Sequence, residues 1–301
     1  MTESVLKSPI APPSPAVQIR RLVWKIALAT FLLMAVGSAT RVMNAGLACP
    51  DWPLCYGQFL PFEQMNLRVF LEWFHRLDAA LVGFSAIALA GLSWWWRREL
   101  PRWVPYAATL ALGSILVQGA LGGLTVTELL RFDIVTAHLG TALLFFCILL
   151  AMGAALMPYE ATGTGKYLSV LGWTAAIAIY LQSLLGALVA SQWALHQCLW
   201  GSRLCAVMNS HLIGVVPATL ATLIAIVTAW RTPALHPALR ILANSAAFFV
   251  VLQILLGLST YRFRLQVELL TISHQAIGAA LLGVLVMFAV LARRNTISSP
   301  S

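Results

Sequence analysis

The sequence predicts an all-α integral membrane protein of eight transmembrane helices, arranged as two pseudo-symmetric four-helix bundles. Three observations predict it. Sixty per cent of the 301 residues are hydrophobic and 10% carry charge, whereas about a quarter of a soluble domain is charged. Uncharged apolar runs recur that reach the roughly 20 residues needed to cross a bilayer. Histidines recur with those runs, at one spacing used twice. Backbone groups in lipid must be satisfied within the segment, so the runs are helices rather than strands.

Taken in order, residues 1–19 are rich in Pro and Ser and read as a disordered cytoplasmic tail. They lack the Arg-rich amphipathic pattern of a transit peptide, and the apolar run that follows Arg20 and Arg21 is too long for a signal peptide. The predicted spans are 22–44, 70–96, 103–126, 132–157, 167–190, 207–230, 238–260 and 267–292. They divide the chain into an N-terminal half at 20–160, a C-terminal half at 161–294 and a disordered tail at 295–301.

The formal net charge of +9 does not point to nucleic acid, because the basic residues sit in short groups between apolar runs. With the N-terminus inside, twelve Lys and Arg fall on the cytoplasmic side. Seven fall outside, namely Arg41, Arg68, Arg76, Arg131, Arg203, Arg262 and Arg264. That excess places both termini in the cytoplasm. Topology does not require the outer arginines. Arg76, Arg131, Arg262 and Arg264 are therefore candidates for pairing with carboxylates such as heme propionates.

His75 and His138 are 63 residues apart, as are His211 and His274, and each lies near the start of an even-numbered helix. All four thus fall at the outer end. The preceding helices share a Gln-x-x-Leu-Gly pattern, Gln118 to Gly122, Gln182 to Gly186 and Gln253 to Gly257, whose small residues let helices approach closely. A four-helix unit has been duplicated. One intramembrane histidine can be a simple hydrogen-bonding residue, and proton relay is a further option. Four at matched positions favour a functional role, because polar groups in a membrane are costly. Facing helices of a bundle hold cofactors, and heme iron accepts axial imidazole. Zinc fits less well, since no carboxylate or thiolate repeats beside the histidines. His196 and His236 have no repeat partners and fall in loops.

The halves differ beside the first histidine of each. Glu72 precedes His75 by three residues and Arg76 follows it, whereas Met208 and Leu212 flank His211. Glu72 and His75 share a helix face. Glu72 either complements the helix dipole or serves as an acid, base or cation-stabilising group. Asp78, one turn deeper, is expected to be buried and paired with a polar neighbour. Cys49 and Cys55 lie in the first outer loop, and Cys198 and Cys205 in the matching loop of the second half. Two pairs on the oxidising side suggest two disulfides, structural or redox-active. Cys147 reads as an ordinary buried residue.

The run Gly46-Leu-Ala-Cys49-Pro-Asp51-Trp52-Pro-Leu-Cys55, then Glu72-Trp-Phe-His75-Arg76 and three further helix-start histidines, resembles the heme A synthase family over about 22–292. The resemblance implies a bacterial inner-membrane enzyme. It would oxidise a porphyrin methyl of heme O, through hydroxylation, to the formyl of heme A for cytochrome oxidase. It implies a heme b cofactor on His211 and His274, substrate heme on His75 and His138, and a part for Glu72 in catalysis. A heme O synthase, an electron acceptor and further copies of the chain are the partners it suggests, within the lipid bilayer. Two other functions account for four histidines: a di-heme b-type electron carrier, and a heme transporter or assembly factor. The carrier does not explain why only one half has Glu72 and Arg76, and the transporter needs an access path but no redox partner.

Overall fold

The computed structural model describes residues 13–190 and 203–296, and its regular structure is helical throughout. The helices are α1 (Pro15–Val42), α2 (Leu67–Trp95), α3 (Trp103–Thr127), α4 (Phe132–Ala155), α5 (Leu168–Val189), α6 (Arg203–Arg231), α7 (Pro237–Arg262) and α8 (Glu268–Thr296). A single turn of 3-10 helix, Phe62–Gln64, sits in the loop before α2. All eight helices are long and apolar enough to cross a membrane. The shortest has 22 residues, about 33 Å at 1.5 Å per residue. Leu28, Phe84, Leu110, Ile213 and Phe248 point outward, as they should where lipid is the solvent. The chain is a multi-pass membrane protein.

Two predicted ends move, each for a local reason. α1 starts at Pro15, so residues 15–19, expected as tail, are helical and Ile19 is fully buried. Proline fits the first helical turn, where its missing N–H has no acceptor to lose. α8 runs on through Thr296, past the expected tail boundary at 295. Asn295 is fully buried there. Its amide donates to the Thr164 carbonyl at 2.8 Å, and its oxygen accepts from the Thr162 N–H at 3.0 Å and from the Tyr159 hydroxyl at 3.1 Å. A polar side chain with that many partners holds the last turn in place.

In the first half α1 packs on α2, α2 on α3, α3 on α4 and α4 on α1; in the second, α5, α6, α7 and α8 make the same ring of contacts. α8 also touches α1 and α4, and α4 touches α5, which makes α8 the most deeply buried helix. Small residues permit this. A Cβ on Gly283 would meet Leu150 Cδ1 at 2.6 Å, and one on Gly172 would meet the Ala289 Cα at 3.0 Å. Close approach replaces the hydrophobic drive that lipid cannot supply. At the end opposite the disulfide loop, Arg294 donates to the Ala154 and Met157 carbonyls, both at 2.8 Å, closing the C-terminus of α4.

Candidate functional site

A cavity of about 1750 Å³ opens among α1–α4, larger than the roughly 300–1,000 Å³ of ordinary small-molecule pockets. His75 and His138 line it, from α2 and α4. They stand six to eight residues into their helices, about 9–12 Å along the axis, with ring centroids 6.5 Å apart and planes at 70°. With metal–imidazole bonds of about 2.0–2.1 Å, two rings sharing one metal have centroids roughly 6 Å apart. The spacing therefore suits a pair of axial ligands. Among the described residues no three His, Cys, Asp or Glu side chains gather as a metal cage. Two imidazoles leave a bare ion short of ligands; a porphyrin brings its own ring of nitrogens.

Each of the four histidines lies edge-on to a glycine of the preceding helix. A Cβ would meet the ring's Cε1 at 2.8 Å from Gly37 to His75, 3.2 Å from Gly122 to His138, 3.1 Å from Gly186 to His211 and 2.9 Å from Gly257 to His274. Any side chain there would push the ring aside. The glycines of α3, α5 and α7 were visible as the repeated Gln-x-x-Leu-Gly. Gly37 was not, because α1 has Leu33 where the glutamine stands.

Glu72 is 3% exposed and clamped on both carboxylate oxygens. Oε1 accepts from Arg76 Nη2 at 2.5 Å and Oε2 from the Cys49 N–H at 2.8 Å. Arg76 Nη1 donates to the carbonyls of Asp51 at 2.6 Å and Leu54 at 2.5 Å. The Cys49–Cys55 disulfide, with Cα atoms 4.8 Å apart, closes that same loop. Asp51 folds the loop by accepting from the Tyr56 and Gly57 N–H groups at 2.6 and 2.7 Å. Asn66 caps α2 by accepting from the Arg68 and Val69 N–H groups. Loop, Arg76 and Glu72 are thus one hydrogen-bonded unit above His75.

Of the predicted arginines, Arg76, Arg131 and Arg264 line the cavity; Arg262 is exposed at the end of α7. Arg131 is committed to Asp133 at 2.8 Å and Glu128 at 3.3 Å, and its hydrogen bond to Asp133 raises its pKa. Two further lining residues, Arg41 and Trp52, make contacts that the sequence does not reveal. Arg41, in the last turn of α1, donates to the Ala187 carbonyl of α5 at 2.9 Å. Trp52 lies over Gly123, where a Cβ would meet its ring at 3.3 Å. Neither contact has a sequence signal. The C-terminal half adds Arg264, Thr271 and Gln275 to the wall.

Asp78 departs from expectation. It is half-buried, with no partner among the described residues, and it is not one of the α2 residues that line the cavity. Cys147 in α4 is a half-buried free thiol. His236 accepts from the Ala238 N–H and stacks on Tyr159, a local capping role. His196, Cys198 and the Cys205 side chain lie outside the described residues, and so does the second expected disulfide.

Residues 20–286 match the COX15-CtaA family, described as cytochrome oxidase assembly protein. A heme A synthase of Caulobacter vibrioides is 28% identical over 89% of this chain and 94% of its own length. One from Bacillus pumilus is 31% identical over 45% of this chain and 44% of its own length. A protoheme IX farnesyltransferase of Halobacterium salinarum is 36% identical over 33% of this chain and 21% of its own length.

Proposed function

The chain belongs to this family of cytochrome oxidase assembly proteins, and from that premise we propose that it is a heme A synthase. It is then a membrane oxidoreductase that takes one porphyrin methyl of heme O, through an alcohol, to the formyl group of heme A. Relatives that carry that name support the reading. The observation that carries it is the pairing of two facing imidazoles, His75 and His138, with the Glu72–Arg76 ion pair in one large cavity.

In this reading His75 and His138 hold the iron of the substrate heme. The cavity walls take the porphyrin, and Arg76 and Arg264 face its propionates. Glu72 is held in place by Arg76 and the Cys49 N–H, which positions its carboxyl group to stabilise positive charge or accept a proton beside the reacting carbon. His211 and His274 are the residues that would hold heme b, which supplies one-electron redox chemistry when bound. The Cys49–Cys55 loop positions Glu72 and covers the cavity, whatever its redox part. The charge distribution supports cytoplasmic termini, and the bacterial relatives support a bacterial inner membrane. The likeness to a protoheme IX farnesyltransferase fits a chain that works next to a supply of heme O. An electron acceptor completes the set of partners.

The test is pigment extraction, with identification by mass, from cells with and without the gene. The expected result is a formyl-bearing heme only where the gene is present. The same pigments in both would overturn the proposal. A di-heme carrier and a transporter each leave the porphyrin side chains unchanged.

A further inference from the structure

In three of the four histidine–glycine contacts, the residue four places before the glycine is a glutamine whose amide reaches the histidine. Gln118 Nε2 is 3.2 Å from His138 Nε2, and Gln253 Nε2 is 3.4 Å from His274 Nε2. Gln182 Nε2 is 3.0 Å from His211 Nδ1 and donates to the His211 carbonyl at 2.7 Å. Two of the amides are wedged. A Cβ on Gly214 would meet Gln182 Oε1 at 2.4 Å, and one on Gly278 would meet Gln253 Nε2 at 3.1 Å. The fourth contact breaks the pattern. Four residues before Gly37 stands Leu33, whose side chain has no hydrogen-bonding group to offer the His75 ring.

The complementary atoms of two of these pairs are stranded. Gln118 Oε1 and His138 Nδ1 are buried without partners, and so are Gln253 Oε1 and His274 Nδ1. Buried polar atoms of this kind are exceptional and call for an explanation. One rearrangement satisfies both atoms of each pair. With the amide turned end for end and the ring rotated, Nδ1–H donates to Oε1, and Nε2 is left free to bind a metal. Histidine ligands almost always have such an acceptor on their other nitrogen, which fixes the ring and makes it more basic.

We infer that Gln118 and Gln253 are positioning residues that hold two heme-iron histidines through their ring N–H groups, that Gln182 holds a third through its backbone carbonyl, and that His75 is the ligand that lets go. This rests on the heme reading of the four histidines. His75 Nδ1 is buried without a partner, and no side-chain amide stands by to take it. The second half thus has two tethered histidines, which suits a resident cofactor. The first has one tethered and one free, which suits a porphyrin that must enter and leave.

The experiment uses the full chain purified with its heme, in detergent, with hemin added to fill the first cavity. Gln253→Met removes the acceptor at nearly constant volume, Gln253→Glu strengthens it, and Leu33→Gln supplies the missing one. Each protein is read by the reduction potential of the resident heme, by its low-spin electron paramagnetic resonance signature, and by the rate of heme transfer to apomyoglobin. Gln253→Met is expected to raise the potential and speed release of the resident heme by about tenfold or more. Gln253→Glu is expected to lower the potential. Leu33→Gln is expected to slow release of hemin from the first cavity about tenfold while the resident potential stays put. If the Met and Glu variants shift the potential alike or not at all, or if Leu33→Gln leaves release unchanged, the inference is wrong. A wild-type protein that binds no heme would instead remove the reading beneath it.

Discussion

The two halves use the same ring of helices and the same histidine–glycine contacts, yet they differ around the first histidine of each. Beside His75 stand Glu72 and Arg76, tied into a disulfide-closed loop; beside His211 stand Met208 and Leu212. The glutamine that touches His138, His211 and His274 is a leucine facing His75. In the proposed reading the repeat supplies a frame for a flat cofactor, and the departures from it mark where the chemistry lies. In that reading the second half, with Met208 and Leu212 beside His211, is the holder, and the first half, with Glu72 and Arg76 beside His75, is where the substrate comes and goes.

The comparison breaks most visibly at the histidines. Substitution of His211 or His274 by Ala is expected to abolish the spectrum of resident heme b, whereas His75→Ala spares it; optical spectra of the purified variants decide. Next, Glu72→Gln is expected to lower heme A formation by about 10²-fold or more, the usual contribution of a positioned acid or base, with heme content unchanged. A normal rate would leave Glu72 a structural role only. Arg76→Ala removes one partner of a nearly buried ion pair and the donor to two loop carbonyls. A loss on the order of 3 kcal/mol is expected, read as a lower midpoint in thermal unfolding. Cys55→Ser opens a loop of sequence separation 6, worth about 2 kcal/mol in the chain-entropy account. The smallest effect is expected from Met208→Glu with Leu212→Arg, which copies the first half's ion pair beside His211. Such a pair is worth about 0.2–0.5 kcal/mol on a helix, and heme b content should hold.

Much of this was legible in the sequence. The eight spans follow from apolar length, because lipid leaves the backbone no alternative to helix. The four histidines follow from an equal spacing in each half. Helix ends were less legible, since α1 gains its first turn from Pro15 and α8 its last from Asn295, whose partners lie more than 130 residues away. The clamp on Glu72 was hidden because one of its donors is a backbone N–H, at Cys49, which composition does not reveal. The glutamines were in plain view as a repeat, but spacing alone gave only close helix approach. Their contact with histidines on the next helix depends on register. Gly37 was missed because α1 lacks the glutamine that flags the glycine, and the contact of Arg41 was hidden because the carbonyl it meets belongs to the other half.

The central claim is that each half grips iron porphyrin between its two imidazoles. The most direct measurement is extraction and mass identification of the hemes bound to the purified full chain and to its His75→Ala and His211→Ala variants. The account predicts heme b in the wild type and in His75→Ala, and none in His211→Ala. Heme b retained by His211→Ala but lost from His75→Ala would contradict the division of labour. A wild-type protein free of porphyrin would contradict the whole account.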